Sequence, residues 1–160
     1  MTTATLLPVI GKPAPDFTLP STAGEPISLK QFKGKKTVVL YFYPKDETPG
    51  CTKEACGFRD LRDDFEATGA VILGVSTDPI DSHNKFREKH KLPFDLLADE
   101  DASVSKAYGV YKQKNLYGKK YLGIERTTFI IDRTGRIAQI YPKVKVDGHV
   151  QDVLEFLRED

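Results

Sequence analysis

Residues 37–56 read TVVLYFYPKDETPGCTKEAC. The first seven, Thr37 to Tyr43, are β-branched, aliphatic or aromatic, the make-up of a strand buried on both faces. A Pro-Gly turn follows, and then a helical pattern over residues 51–67. Both cysteines of the chain lie at the start of that helix, five residues apart. Their spacing fits neither the usual zinc-ligand pairs nor the C-x-x-C of disulfide oxidoreductases. At about 100° per residue, Cys51, Ala55, Phe58, Leu61 and Phe65 share one apolar face, aimed at the sheet. Cys56 falls about 140° from Cys51 on the same count, among Lys53, Asp60 and Asp63.

Outward from this stretch the pattern alternates. Upstream, Phe17–Leu19 and Ile27–Leu29 flank a Ser-Thr-Ala-Gly turn and predict a small hairpin, with Ser28 capping a short helix that ends at Gly34. Downstream, Ala70–Ser76 (AVILGVS) reads as a second buried strand. Residues 79–90 read as a helix with Asp78 as its cap and Pro79 at its first position. Phe94–Leu97 reads as a short strand and Ala102–Tyr108 as a short helix stopped by Gly109. Thr127–Ile131 and Arg136–Tyr141 form two strands joined by Asp-Arg-Thr-Gly, and His149–Arg158 is the last helix. Strands separated by helices predict a mostly parallel sheet covered on both faces, with an antiparallel closing hairpin. The expected fold class is α/β: a thioredoxin-like three-layer fold, a central mixed sheet flanked by helices.

The chain has 160 residues, 39% hydrophobic and 29% charged, with a net charge of +1. Those values predict one domain over residues 1–160, with 1–10 an extended N-terminal arm in a proline-rich stretch. They exclude a disordered chain and give no general attraction to nucleic acid or anionic membrane. The longest apolar run, Val38–Tyr43, is too short to cross a bilayer. The N-terminus, MTTATLLPVIGKPAP, has the marks of neither a signal nor a transit peptide. Two cysteines do not make a secreted disulfide framework, so the expected compartment is the cytoplasm.

Cys51 stands at a helix N-terminus, where free N–H groups and the dipole favour an anion. An unperturbed thiol, with a pKa of about 8.5, offers little of its nucleophilic thiolate at neutral pH. Thr48 precedes Cys51 by three residues, where its hydroxyl can reach the sulfur or a bound oxygen substrate. Pro44 and Pro49 stiffen the loop, and Gly50 lets backbone approach closely. Helical residues five apart have Cα atoms about 8–9 Å apart, and a disulfide needs less than about 7 Å. If the two cysteines bond, the first turns of the helix must unwind, which Gly57 makes less costly. A peroxide fits as the reactant: a thiolate attacking O–O becomes a sulfenic acid, which condenses with a nearby thiol. Charge develops on both oxygens, so the chemistry wants an arginine close by. Arg126, directly before a strand, is the candidate.

At this point the residues resemble a known family. The run Pro44-x-x-x-Thr48-x-x-Cys51 is similar to the active-site motif of peroxiredoxins. Together with IERTTFIID (124–132) it resembles the bacterioferritin comigratory protein, or peroxiredoxin Q, branch. The likeness runs from about Gly11 to the end of the chain. The resemblance implies Cys51 as peroxidatic nucleophile and Cys56 as resolving cysteine. It implies that Thr48 and Arg126 position the peroxide while Pro44 shields the pocket. It also implies reduction of hydrogen peroxide and organic hydroperoxides, a thioredoxin-type dithiol reductant and a monomeric protein. No cofactor or metal is expected.

Plainer readings exist for each residue. Cys51 can be an inert buried thiol, Cys56 a bystander, Thr48 a turn residue and Arg126 a surface partner of Glu125 or Asp132. His83, His90 and His149 are read as solvent-facing. Lys112, Lys114, Lys119 and Lys120, around Tyr111, Tyr117 and Tyr121, are read as a solvated or partner-facing loop rather than a single-strand nucleic-acid site. Rival functions are a thiol–disulfide oxidoreductase, which lacks its C-x-x-C here, and a non-enzymatic redox sensor.

Overall fold

The computed structural model describes residues 7–159. Five strands build the central sheet: β3 (Thr37–Phe42), β4 (Ala70–Ser76), β5 (Asp95–Ala98), β8 (Thr127–Ile131) and β9 (Ile137–Tyr141), in the order β5-β4-β3-β8-β9. β3 pairs in parallel with β4, and β4 with β5; β3–β8 and β8–β9 are antiparallel. The sheet is therefore evenly mixed rather than mostly parallel, because the closing hairpin enters beside β3 instead of at the far edge.

Alternation along β3 separates two cores. Val39, Tyr41 and Tyr43 face a cluster with Cys51, Ala55, Phe58, Phe65, Phe86, Val153 and Leu154. Val38, Leu40 and Phe42 face the other, with Phe17, Leu73, Val75, Tyr108, Phe129 and Ile131. The first layer is formed by α1 (Pro49–Asp60), α2 (Arg62–Ala67), α3 (Ile80–His90) and α5 (His149–Arg158); the second receives the N-terminal hairpin β1–β2 (Thr18–Leu19, Ile27–Ser28) and α4 (Ser103–Ala107). Tyr41 stacks on Phe58 with ring centroids 4.8 Å apart, which seats α1 on the strand that leads into it.

Several expectations need correction. The helix over 51–67 is two helices, broken at Leu61 (φ −106°, ψ 14°). The cap of α3 is Pro79, not Asp78; Asp78 instead accepts from the Asp46 amide at 2.8 Å and the Ser76 hydroxyl at 2.6 Å. The segment read as a basic loop is a hairpin, β6 (Tyr111–Leu116) and β7 (Lys119–Ile124), a separate two-stranded sheet. His83 and His149 are buried and His90 is half-buried. Of the proposed arm over residues 1–10, positions 1–6 lie outside the described residues.

Candidate active site

The C-terminal end of β3 delivers Tyr43 and Pro44 to a loop, and Thr48 ends that loop as the cap of α1, with Pro49 in the first turn. Cys51 follows within that first turn, buried to 1% exposure. Thr48 is half-buried; its hydroxyl donates to the Lys45 carbonyl at 2.9 Å and its own carbonyl accepts from Thr52 N–H. Pro44 is half-buried beside it.

Arg126 reaches this turn from the start of β8. Its Nη2 lies 3.4 Å from Cys51 Sγ, and its Nη1 donates to Glu54 Oε1 at 2.7 Å. The Arg126 carbonyl accepts from Val144 N–H, which ties its backbone to the loop after β9. Arg126 is thus no surface partner of Glu125 or Asp132. Burial works against its charge, but Glu54 and Cys51 raise its pKa above the ordinary value. A Cβ at Gly50 would stand 3.1 Å from Nη2, so the close approach of guanidinium to helix start depends on a glycine there.

Glu54 is the buried charged residue beside Arg126 that the sequence reading passed over. It is fully buried on the inner face of α1. Desolvation pushes its carboxyl up to about 7, against the lowering pull of Arg126. Its Oε2 has no hydrogen-bond partner among the described residues, and neither has the buried Tyr41 hydroxyl. His149 Nε2 stands 3.9 Å from Oε2 and 2.8 Å from Thr128 Oγ1. Desolvation lowers the His149 pKa to about 4. The signal was present: at about 100° per residue, Glu54 falls between Leu61 and Phe65, inside the apolar stripe.

A second buried network holds the loop from behind. Asp46 accepts from Tyr43 Oη at 2.6 Å and Ser82 Oγ at 2.8 Å, and its Oδ2 lies 2.7 Å from His83 Nδ1. His83 Nε2 faces the Leu97 carbonyl at 2.8 Å. A carbonyl only accepts, so Nε2 carries a proton, and one more proton joins Nδ1 to Asp46. Asp46, Asp78 and His83 are metal-ligand residue types within 4.8 Å of one another. Their atoms are nevertheless committed to each other, to Tyr43, to the serines and to backbone, the geometry of a hydrogen-bonded clamp rather than an open ligand set.

Cys56 is half-buried on α1, and both thiols are free. α1 is continuous through both positions, so the two cysteines stand on separate turns of an intact helix.

A profile of the AhpC/TSA family matches residues 10–140. Peroxiredoxin Bcp of Bacillus subtilis is 51% identical over 150 residues, covering 94% of this chain and 95% of that protein. The Xanthomonas campestris bacterioferritin comigratory protein, whose structures address its alkyl peroxide reduction activity, superposes with a TM-score of 0.87 at 41% identity, covering 94% of this chain and 98% of that one. A mutant of Xylella fastidiosa PrxQ gives a TM-score of 0.90 at 37% identity over 96% of this chain and 98% of its own. These proteins share the thioredoxin-like layout expected from the order of elements, and the chain belongs to the AhpC/TSA family, in its Bcp/peroxiredoxin Q branch of thiol-dependent peroxidases.

Proposed function

We propose that Cys51 attacks the hydroperoxide and Cys56 resolves the product, with Thr48, Arg126 and Pro44 shaping the pocket. The observation that carries this reading is the Arg126 guanidinium 3.4 Å from a buried sulfur in the first turn of α1. Guanidinium and helix N-terminus both favour negative charge at Sγ and on the peroxide oxygens during attack. The Cys51 thiolate takes the near oxygen of ROOH, the O–O bond breaks, and the far oxygen leaves with a proton as ROH. The resulting sulfenic acid condenses with the Cys56 thiol, releasing water and forming a disulfide. A dithiol protein such as thioredoxin then takes the disulfide bond onto itself and returns two thiols. Hydrogen peroxide and organic hydroperoxides are the proposed substrates. The cytoplasm, which keeps free thiols reduced, is the proposed compartment, and a monomer the working form.

Intact-mass measurement after one equivalent of hydrogen peroxide tests the cycle. The parent should lose two hydrogens. Cys56→Ser should retain one oxygen, and Cys51→Ser should lose rapid reaction altogether. A Cys51→Ser protein that reacts as fast as the parent would remove Cys51 from the mechanism.

A further inference from the structure

The hairpin β6–β7 combines basic and exposed apolar residues. Residues 111–124 hold four lysines and no acidic residue, in a chain whose net charge is only +1. Leu116, Tyr117, Tyr121 and Leu122 are all well exposed, Tyr117 at 97%. An isolated two-stranded hairpin gains little from such exposure, since it has no sheet of its own to cover. Its turn is built for rigidity: Tyr117 (φ 52°) and Gly118 (φ 80°) take the two left-handed positions of a tight two-residue connection.

The hairpin also adjoins the site. Ile124 at its base is buried in the core, Glu125 N–H donates to the Val110 carbonyl, and Arg126 follows directly. The register puts Lys112, Lys114 and Leu116 on one face with Lys119, Tyr121 and Gly123. On that face Lys112 pairs with Glu125 at 2.9 Å. The Tyr121 ring and the Lys114 stem fold over Gly123, 3.4 and 3.6 Å from where its Cβ would be. Burial and then Arg126 lower the Lys114 pKa, against the raising pull of Glu125 and Cys51. A basic, apolar-tipped ledge therefore runs from solvent to the rim of Cys51.

We infer that this ledge is the docking edge for an acidic dithiol protein that reduces the Cys51–Cys56 disulfide. The inference rests on the cycle proposed above. The reductant's first thiolate attacks one sulfur of that disulfide and expels the other as a thiolate. Its second thiol then displaces the mixed disulfide, so two electrons pass to this chain and the reductant leaves oxidised. A small dithiol needs no ledge for this chemistry; a protein must bring its thiols to the rim in register. Glu125 engages Lys112; the lysines beyond it attract and orient an acidic face, and exposed Tyr and Leu supply the apolar contact beside them.

The test compares two reductants on the same enzyme: dithiothreitol, and thioredoxin kept reduced by its reductase and NADPH. Two variants carry it, Lys119→Glu and Leu116→Ser/Tyr117→Ser. Each should lower kcat/KM for thioredoxin about tenfold or more, with the dithiothreitol-driven rate and the peroxide burst kept within about twofold. Raising salt from about 50 to about 300 mM should lower the thioredoxin value for the parent and barely affect the charge-reversed variant. Thioredoxin kinetics within about twofold of the parent in both variants would overturn the inference. So would a concentration-dependent dimer that the same substitutions dissolve while thioredoxin turnover stays intact, since the occupant would then be a second copy. A parent that turns over with neither reductant would instead bring down the cycle itself.

Discussion

At the scale of single residues, the buried pair Glu54 and His149 gives the protein an unusual proton account. Folding moves the carboxyl from 4.5 up to about 7 and the imidazole from 6.5 down to about 4. The raised carboxyl stabilises the fold fully below 4.5, and this is lost as pH rises through 7. The lowered imidazole stabilises it fully above 6.5, and this is lost as pH falls through 4. Each is worth about 3 kcal/mol at 1.36 kcal/mol per pKa unit. Between 4.5 and 6.5 the slopes oppose: folding transfers one proton from imidazole to carboxyl and takes up none. The parent's urea midpoint should therefore stay nearly flat across that window. Glu54→Gln should lose stability on acidification, and His149→Asn on alkalinisation, each at about 1.4 kcal/mol per pH unit. A parent with the full slope of either variant would refute the pairing. The positions of Cys51, Thr48 and Pro44 at a turn and helix start were legible in the sequence, because those are local patterns; Arg126 was singled out by the needs of peroxide chemistry and by the family resemblance, since its approach to Cys51 is a long-range contact. Glu54 was not read, and His83 and His149 were misread as solvent-facing, because their partners lie far along the chain. His83 and His149 do share helix faces with Phe86 and Val153, and that spacing is the signal that they are buried.

At the scale of elements, β3, β4, the closing hairpin and α5 were readable to within a residue or so from composition and periodicity. The break at Leu61 was not, since Leu61 itself keeps the apolar stripe of the helical pattern and no Gly or Pro stands beside it. The β6–β7 hairpin was missed for a different reason: its strands bury almost nothing, so no apolar alternation marks them, and Tyr-Gly takes the place of the usual Asn-Gly. The meeting of α1 with the start of β8 has its own measurable consequence. Gly50→Ala adds a methyl group 3.1 Å from Arg126 Nη2, while its backbone has no left-handed φ to forbid alanine. Helix propensity improves and the guanidinium is pushed off the sulfur. The variant should keep or slightly raise its melting temperature yet react with hydrogen peroxide about tenfold more slowly, a rise of about 1.4 kcal/mol in the barrier. Stopped-flow oxidation beside thermal unfolding separates the two effects. Unchanged oxidation would mean that the Arg126–Cys51 approach does not govern reactivity.

At the scale of the whole molecule, the proposed cycle requires one helix start to melt while the sheet stays fixed. The structure divides the chain at residues 46 and 47. Asp46 is anchored to Tyr43, Ser82, His83 and the Asp78 carboxylate that receives its amide. Glu47, the next residue, has φ 65°, a left-handed conformation that a non-glycine residue holds only at some cost. Rotation there would release strain and swing residues 48–56 without disturbing β3, at the cost of the exposed contacts of Glu47 with Lys89 and His90 at the end of α3. Formation of the disulfide should therefore raise amide exchange in 48–56 strongly, leave 38–46 and 80–90 protected, and lower helicity by no more than the first turns of α1. The same experiment on His83→Ala tests the anchor. That change leaves Asp46 buried without its imidazole, a loss of about 3–5 kcal/mol if the pair is charged. In the oxidised variant the exchange should spread upstream through 43–46 before it reaches β9 or α5. Protection of 48–56 that survives oxidation would refute the melting. Exchange that rises evenly along the oxidised parent chain would refute the anchor, because the helix start would then open only with the whole fold.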